Sequence, residues 1–134
     1  MTRFFPLFIF TFHLLLIQTL CEQDSIFFKT HVHISSSVQG QLRLHCKSKD
    51  DDLGDHTLGY NGSYEFSFRP WFRTLFFCHF YWNSMERSID VYTNQLAYKA
   101  CVHGWHSDCF WRVAADGFYL RRKDDEHFEK MFTW

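Results

Sequence analysis

Cysteine, histidine and aspartate are the residues whose type and spacing could do chemistry in this chain. Its five cysteines are Cys21, Cys46, Cys78, Cys101 and Cys109. As thiolates they could serve as nucleophiles or as soft metal ligands; oxidised in pairs, they would be structural bridges. The N-terminus chooses between these uses. Arg3 is the only charged residue among the first 21, and an apolar run from Phe4 to Leu20 follows it. A basic start, an apolar stretch and small residues at its end make a secretory signal peptide. Cleavage after Cys21 places Thr19 and Cys21 at the small-residue positions minus three and minus one, and the mature chain opens on Glu22, Gln23, Asp24 and Ser25. A membrane anchor fits less well, because the run falls slightly short of the about 20 apolar residues a spanning helix needs and contains Pro6 and His13. The cut also removes the odd cysteine. Cys46, Cys78, Cys101 and Cys109 remain, an even set that reads as two disulfides in an exported domain. Three pairings are open to four cysteines, and their spacing does not choose among them.

The histidines and aspartates offer weaker constellations. His31 and His33 form an H-x-H pair on one face of a strand, as a zinc site can use, but spacing places no third ligand. His103 and His106 flank Trp105 in a loop. Asp50, Asp51, Asp52 and Asp55 could attract calcium, yet Gly54 falls one place early for an EF-hand loop and no glutamate closes the site. These groups read as surface and turn residues, and no metal or other cofactor is expected. Catalysis has little support. No G-x-S-x-G marks a nucleophile, and all four mature cysteines are better used in bridges. A carboxylate pair for glycoside hydrolysis need not be close in sequence, so it leaves no local signature. The expectation is a protein that is not an enzyme. Asn61-Gly62-Ser63 is an N-x-S sequon in a turn, which makes Asn61 a glycosylation candidate.

The elements that would position these residues are short and mostly extended. Leu42, Leu44 and Cys46 alternate with Arg43, His45 and Lys47, and Tyr64, Phe66 and Phe68 alternate with Glu65, Ser67 and Arg69. Both patterns are half-buried strands. His31 to Ile34 and Ser88 to Tyr92 are further strand candidates. Thr74 to Trp82 is apolar on both faces, as a central strand would be. Between strands, residues 49–55 read as an exposed acidic loop. Residues 109–120 read as a hairpin turning at Asp116-Gly117. The tail from Arg121 to Trp134 reads as either a short amphipathic helix or a loose end. No segment sustains a helical period. The fold expected is all-β, a small antiparallel β-sandwich stapled by two disulfides, formed by residues 22–134 as a single domain. With Arg3 removed from the 14 basic residues, 13 remain against 15 acidic ones, a net charge near −2. That balance favours neither nucleic acid nor an anionic membrane surface.

Several blocks together resemble the plant self-incompatibility S-protein homologue family. They are the run from Leu42 through His45-Cys46-Lys47-Ser48-Lys49-Asp50-Asp51-Asp52-Leu53-Gly54 to His56; Tyr64-x-Phe66-x-Phe68; Thr74 through Cys78 to Trp82; Asp90-Val91-Tyr92; Cys101; Cys109-x-Trp111-x-Val113; and Asp116 to Tyr119. The likeness covers about residues 31–120 in order. It implies a small secreted plant protein, a β-sandwich and four cysteines in two disulfides. The best-known members of that family are stigma proteins that act as ligands of a pollen membrane receptor and lead to rejection of self pollen. The pairing expected is Cys46–Cys109 and Cys78–Cys101; a Cys46–Cys78 bridge would refute it.

A ligand role suits a rigid sandwich that holds loops in fixed positions. The segment between Cys101 and Cys109 is longer than the family pattern leads one to expect, and Ser35-Ser36-Ser37 stands where an asparagine is expected. Specificity would reside in such departures, so His103, Trp105, His106 and Asp108 form the candidate recognition loop. The reading is a secreted, extracellular recognition ligand, monomeric, with a cell-surface receptor protein as partner, no nucleic acid and no membrane insertion after signal cleavage. The alternative is a secreted defence-type carbohydrate-binding protein or weak hydrolase.

Overall fold

The computed structural model describes residues 29–134. The expected signal peptide, residues 1–21, lies outside the described residues, as does the opening of the mature chain.

Alternation of apolar and polar residues produces most of the strands. They are β1 (Thr30–Ser36), β2 (Leu42–Lys47), β3 (Asp52–Leu58), β4 (Ser63–Phe68), β5 (Leu75–Trp82), β6 (Met85–Thr93), β7 (Val102–His103), β8 (His106–Ala114), β9 (Gly117–Arg121) and β10 (Phe128–Phe132). One sheet has the order β10-β9-β8-β1-β4, with β7 also paired to β8; the second has the order β3-β2-β5-β6. The all-β expectation holds. One pair departs from a purely antiparallel scheme: β1 and β8 run parallel, with Val32 opposite Cys109 and Ile34 opposite Trp111. A parallel pair needs a long crossover, and the chain between β1 and β8, which includes the whole second sheet, supplies it.

The inward residues of the two sheets form one core. Val32 and Ile34 of β1, Leu44 of β2, Phe80 of β5, Val91 of β6 and Trp111 of β8 are almost fully buried. Each such side chain contributes roughly 1.5–3 kcal/mol by leaving water. Trp111 also satisfies its indole nitrogen across the sandwich, donating to the Val91 carbonyl at 2.9 Å. Phe80 and Phe118 meet between the sheets at 5.1 Å, and Phe68 packs edge-on to Tyr92 at 4.7 Å. The outer face of β5 is not fully buried. Its Phe77, His79 and Tyr81 are half-exposed, with Arg43 lying 4.1 Å over the Tyr81 ring. The Nε2 of His79 is enclosed without a hydrogen bond, 3.8 Å from Glu86 Oε2.

Four expectations need correction. The bridges are Cys46–Cys78 and Cys101–Cys109, not Cys46–Cys109 and Cys78–Cys101. Cys46 and Cys78 are direct register partners on neighbouring strands β2 and β5, with Cα atoms 4.0 Å apart. Cys101 lies only 8 residues from Cys109, across the β7–β8 hairpin. Most of the expected acidic loop is the edge strand β3, which pairs with β2. A helix, α1 (Asn94–Ala100), follows β6; Thr93 caps it by accepting from the Leu96 amide at 3.0 Å. The tail is neither helix nor loose end. It forms β10, beside β9, and ends with Trp134 against Phe118 at 4.7 Å, its indole donating to the Ala114 carbonyl at 2.8 Å.

Register divides the connections between two ends. Thr30 of β1 faces Phe68 and Ser107 at one end, while Ser35 faces Ser63 and Arg112 toward the other. The Ser35 end holds the turns at 37–41, 59–62, 83–84 and 115–116. The Thr30 end gathers residues 48–51, 69–74, helix α1, the β7–β8 hairpin and residues 122–127. The longer and more elaborate connections are therefore concentrated at one end.

Candidate recognition surface

The Thr30 end displays large aromatic side chains. Trp71 is 81% exposed, Phe72 79% and Trp105 72%. Exposed apolar residues scattered singly are ordinary, whereas clusters of them mark contact surfaces. Pro70 and Tyr92 line the hollow beside Trp71 and Phe72 as well as the hollow beside Trp105, so the two aromatic groups border the same ground.

Both aromatic groups rest on fixed backbone. In residues 69–74 the Thr74 hydroxyl donates to the Trp71 carbonyl at 2.9 Å and accepts from the Trp71 amide at 2.6 Å. The Thr74 amide donates to that same carbonyl at 3.1 Å, and the Asn94 side-chain amide donates to it at 3.0 Å. Asn94 is held in turn by the Tyr92 hydroxyl, which donates to its Oδ1 at 3.0 Å. Burial of Tyr92 pushes its phenol above the ordinary value. Arg73 has a positive φ of 69° and its guanidinium lies 5.6 Å over the Phe72 ring. The other group sits on a two-residue hairpin turn, where Gly104 supplies a φ of 60°. The Cys101–Cys109 bridge closes the base of that hairpin, reinforced by the Asp108 amide donating to the Cys101 carbonyl at 3.2 Å. Side chains presented this way lose little further backbone entropy on binding.

The candidate loop residues do not all come together. His103, Trp105 and His106 are exposed on the hairpin. Asp108, farther along β8, lines one small cleft together with His103 and His106 and places its Oδ1 3.0 Å from His33 Nε2, whereas Trp105 borders a different hollow. Trp71, Phe72 and their support from Asn94 were not anticipated. The available signal was two large aromatics directly after the strand-ending Arg69-Pro70, with no alternation to bury them.

The other constellations are internally occupied. His31 Nδ1 is 2.9 Å from one Glu65 oxygen and His33 Nδ1 is 3.4 Å from the other. His33 also stacks on Phe110 at 4.3 Å. Among the described residues no group of three or more histidine, cysteine, aspartate or glutamate side chains is arranged to hold a metal ion. His45 Nε2 hydrogen-bonds to Asp52, its Nδ1 is 3.4 Å from Asp55, and Lys47 is 3.8 Å from Asp52. The His45 bond, helped by the Gly54 amide, holds the Asp52 carboxyl below its ordinary value. Asn61 is exposed in the turn before β4 with a positive φ of 63°, and its amide donates to the Ser36 carbonyl at 2.9 Å. This places it at the end opposite the exposed aromatics.

The molecule is thus a small two-disulfide β-sandwich presenting aromatic side chains at one end. The family model described as plant self-incompatibility protein S1 matches residues 31–134. S-protein homolog 5 of Arabidopsis thaliana is 44% identical over 78 residues, 57% of each chain. Two further proteins of that plant extend the likeness: S-protein homolog 29, 33% identical over 118 residues (85% of this chain, 84% of that one), and S-protein homolog 2, 36% identical over 110 (79% and 68%). The chain belongs to the plant self-incompatibility protein S1 family.

Proposed function

We propose that the protein is a secreted, monomeric recognition ligand whose aromatic end contacts a cell-surface receptor protein, without catalysis of its own. The observation that carries this reading is the exposure of Trp71, Phe72 and Trp105 on pinned backbone. Tryptophan is enriched at interface hot spots, where a few well-placed anchors dominate affinity. The family's description, plant self-incompatibility, is the setting in which such a ligand would act. Secretion rests on the predicted signal peptide, residues 1–21. A glycan on Asn61 would project from the opposite end and leave the aromatic surface clear.

The test is binding of labelled protein to intact pollen and stigma cells. Trp71→Ala, Phe72→Ala and Trp105→Ala are each expected to weaken binding by tenfold or more while thermal unfolding stays near that of the parent protein. Undiminished binding by all three variants contradicts the reading. So does turnover of a cell-wall polysaccharide, or polysaccharide binding lost when loop carboxylates are substituted, either of which favours the defence-type alternative.

A further inference from the structure

A second surface lies apart from the aromatic anchors. Two clefts, of about 440 and 230 Å³, share Ala100, Arg121 and Arg122 as a common wall. The larger runs between helix α1 and strands β9 and β10. Its apolar lining comes from Leu96, Ala100, Leu120 and Met131, and Lys99 stands at its border. The smaller continues past Lys123 to His103 and His106 on the hairpin.

The charges around these clefts are unevenly matched. Arg122 Nη1 is 3.2 Å from Glu129 Oε2, so that cation is already paired. Asp108, at the smaller cleft, hydrogen-bonds to His33, with Oδ1 3.0 Å from Nε2. Glu126 adds a further carboxylate there. By contrast, among the described residues no carboxylate lies within ion-pair distance of Lys99, Arg121 or Lys123. The Arg121 guanidinium carbon lies instead over the Phe110 ring, 3.6 Å from its centre. A cation–π contact of this kind positions the guanidinium without using up its N–H donors, which stay available to a carboxylate. Lys123 Nζ donates to the Tyr98 carbonyl at 2.8 Å and so is held beside the same cleft. Among the described residues, cations without a carboxylate partner thus gather around one apolar recess.

We propose that this double cleft docks an acidic peptide segment of a partner protein, with carboxylates meeting Arg121 and Lys99 and an apolar side chain entering the recess between α1 and β10. The apolar floor decides between acidic ligands. A polyuronate would satisfy the cations but has no apolar side chain to fill that floor, whereas a peptide mixing glutamate with leucine satisfies both. Charge complementarity would speed encounter and fix register, and apolar burial would hold the segment in place.

The experiment uses the folded, disulfide-bonded protein and a fluorescein-labelled peptide of alternating glutamate and leucine, read by fluorescence anisotropy. Binding is expected that weakens with added salt, falls at least tenfold in Arg121→Glu, and falls severalfold in Lys99→Glu, an exposed site that leaves the core untouched. Trp71→Ala is expected to bind this peptide as the parent does, which separates the cleft from the aromatic end. Equal binding of a peptide with glutamine in place of glutamate overturns the proposal. Unchanged affinity in Lys99→Glu, or complete displacement of the peptide by polygalacturonate at equal carboxylate concentration, does the same. Absence of peptide binding also overturns it, including the case in which the protein self-associates through these cations and Lys99→Glu abolishes that association.

Discussion

Gly117 has no room for a methyl group. Its φ is 151°, and a Cβ built there would lie 2.2 Å from the Phe132 carbonyl oxygen, which belongs to the backbone of β10. Gly117→Ala must therefore strain its own backbone and displace the strand beside it. The expected cost is about 2–4 kcal/mol, combining a strained conformation with overpacking, read as a lowered thermal unfolding midpoint. A neighbouring pair carries a pH signature. The Tyr119 hydroxyl donates to Asp116 Oδ2 at 2.6 Å, which holds the Asp116 carboxyl below its ordinary 3.8 and raises the Tyr119 phenol above its ordinary 10.0. A depressed carboxyl stabilises the fold above its unfolded value, and that contribution is lost as pH falls through the folded one. A raised phenol stabilises below its unfolded value and loses its contribution as pH rises through the folded one. The pair is therefore complete between roughly pH 4 and pH 10. Asp116 is exposed and Tyr119 half-buried, with their hydrogen bond at the surface, so Tyr119→Phe is expected to change stability little while returning the Asp116 carboxyl toward its ordinary value in an NMR titration. An unmoved Asp116 would show that the phenol does not set its acidity.

Residue types were readable wherever a property depends on immediate neighbours. Leu42, Leu44 and Cys46 face the core because a strand alternates, and that pattern needs no knowledge of the other sheet. The fate of Asp108 was not readable, because His33 is brought beside it by the parallel pairing of β1 with β8.

At the scale of elements, cysteine pairing shows where sequence reading ends. Each cysteine could be assigned to a bridge from parity alone, but the partner depends on which strands become neighbours. The two bridges stabilise different things. Cys46–Cys78 spans 32 residues and ties β2 to β5, whereas Cys101–Cys109 spans 8 and ties down one hairpin. Loop-closure entropy assigns about 3.7 kcal/mol to the first and about 2.6 kcal/mol to the second. Replacing Cys46 and Cys78 together by alanine is expected to lower stability more than replacing Cys101 and Cys109, as measured by denaturant unfolding. The second replacement is expected to raise amide exchange in residues 102–107 selectively. Equal losses, with no local change in exchange, would contradict this division of labour. The helix and last strand were hidden for another reason. Helix α1 is too short to show a period, and with only Ala97 buried it owes its place largely to the Thr93 cap and the chain on either side. β10 has mixed, charged composition and is recruited by β9, an influence that no local pattern encodes.

For the whole molecule, what matters is the difference between the two ends of the sandwich. One end is closed mainly by tight turns and by Trp82 and Trp134, whose rings pack 5.9 Å apart and whose indoles are satisfied by the Gln39 and Ala114 carbonyls. At the other end lie the long loop, the helix and the bridged hairpin, with Trp71, Phe72 and Trp105 presented to solvent. The sequence singled out half of this surface, the hairpin, through its unusual length between Cys101 and Cys109. The other half became legible only when the register brought residues 69–74 to the same end. The most direct measurement places a photo-crosslinking amino acid at position 72, in the aromatic loop, or at position 116, in the opposite turn, and exposes both proteins to intact pollen and stigma cells. The account expects a discrete crosslinked cell-surface protein from position 72 and none from position 116. Equal capture from both positions, or capture from position 116 alone, would contradict it.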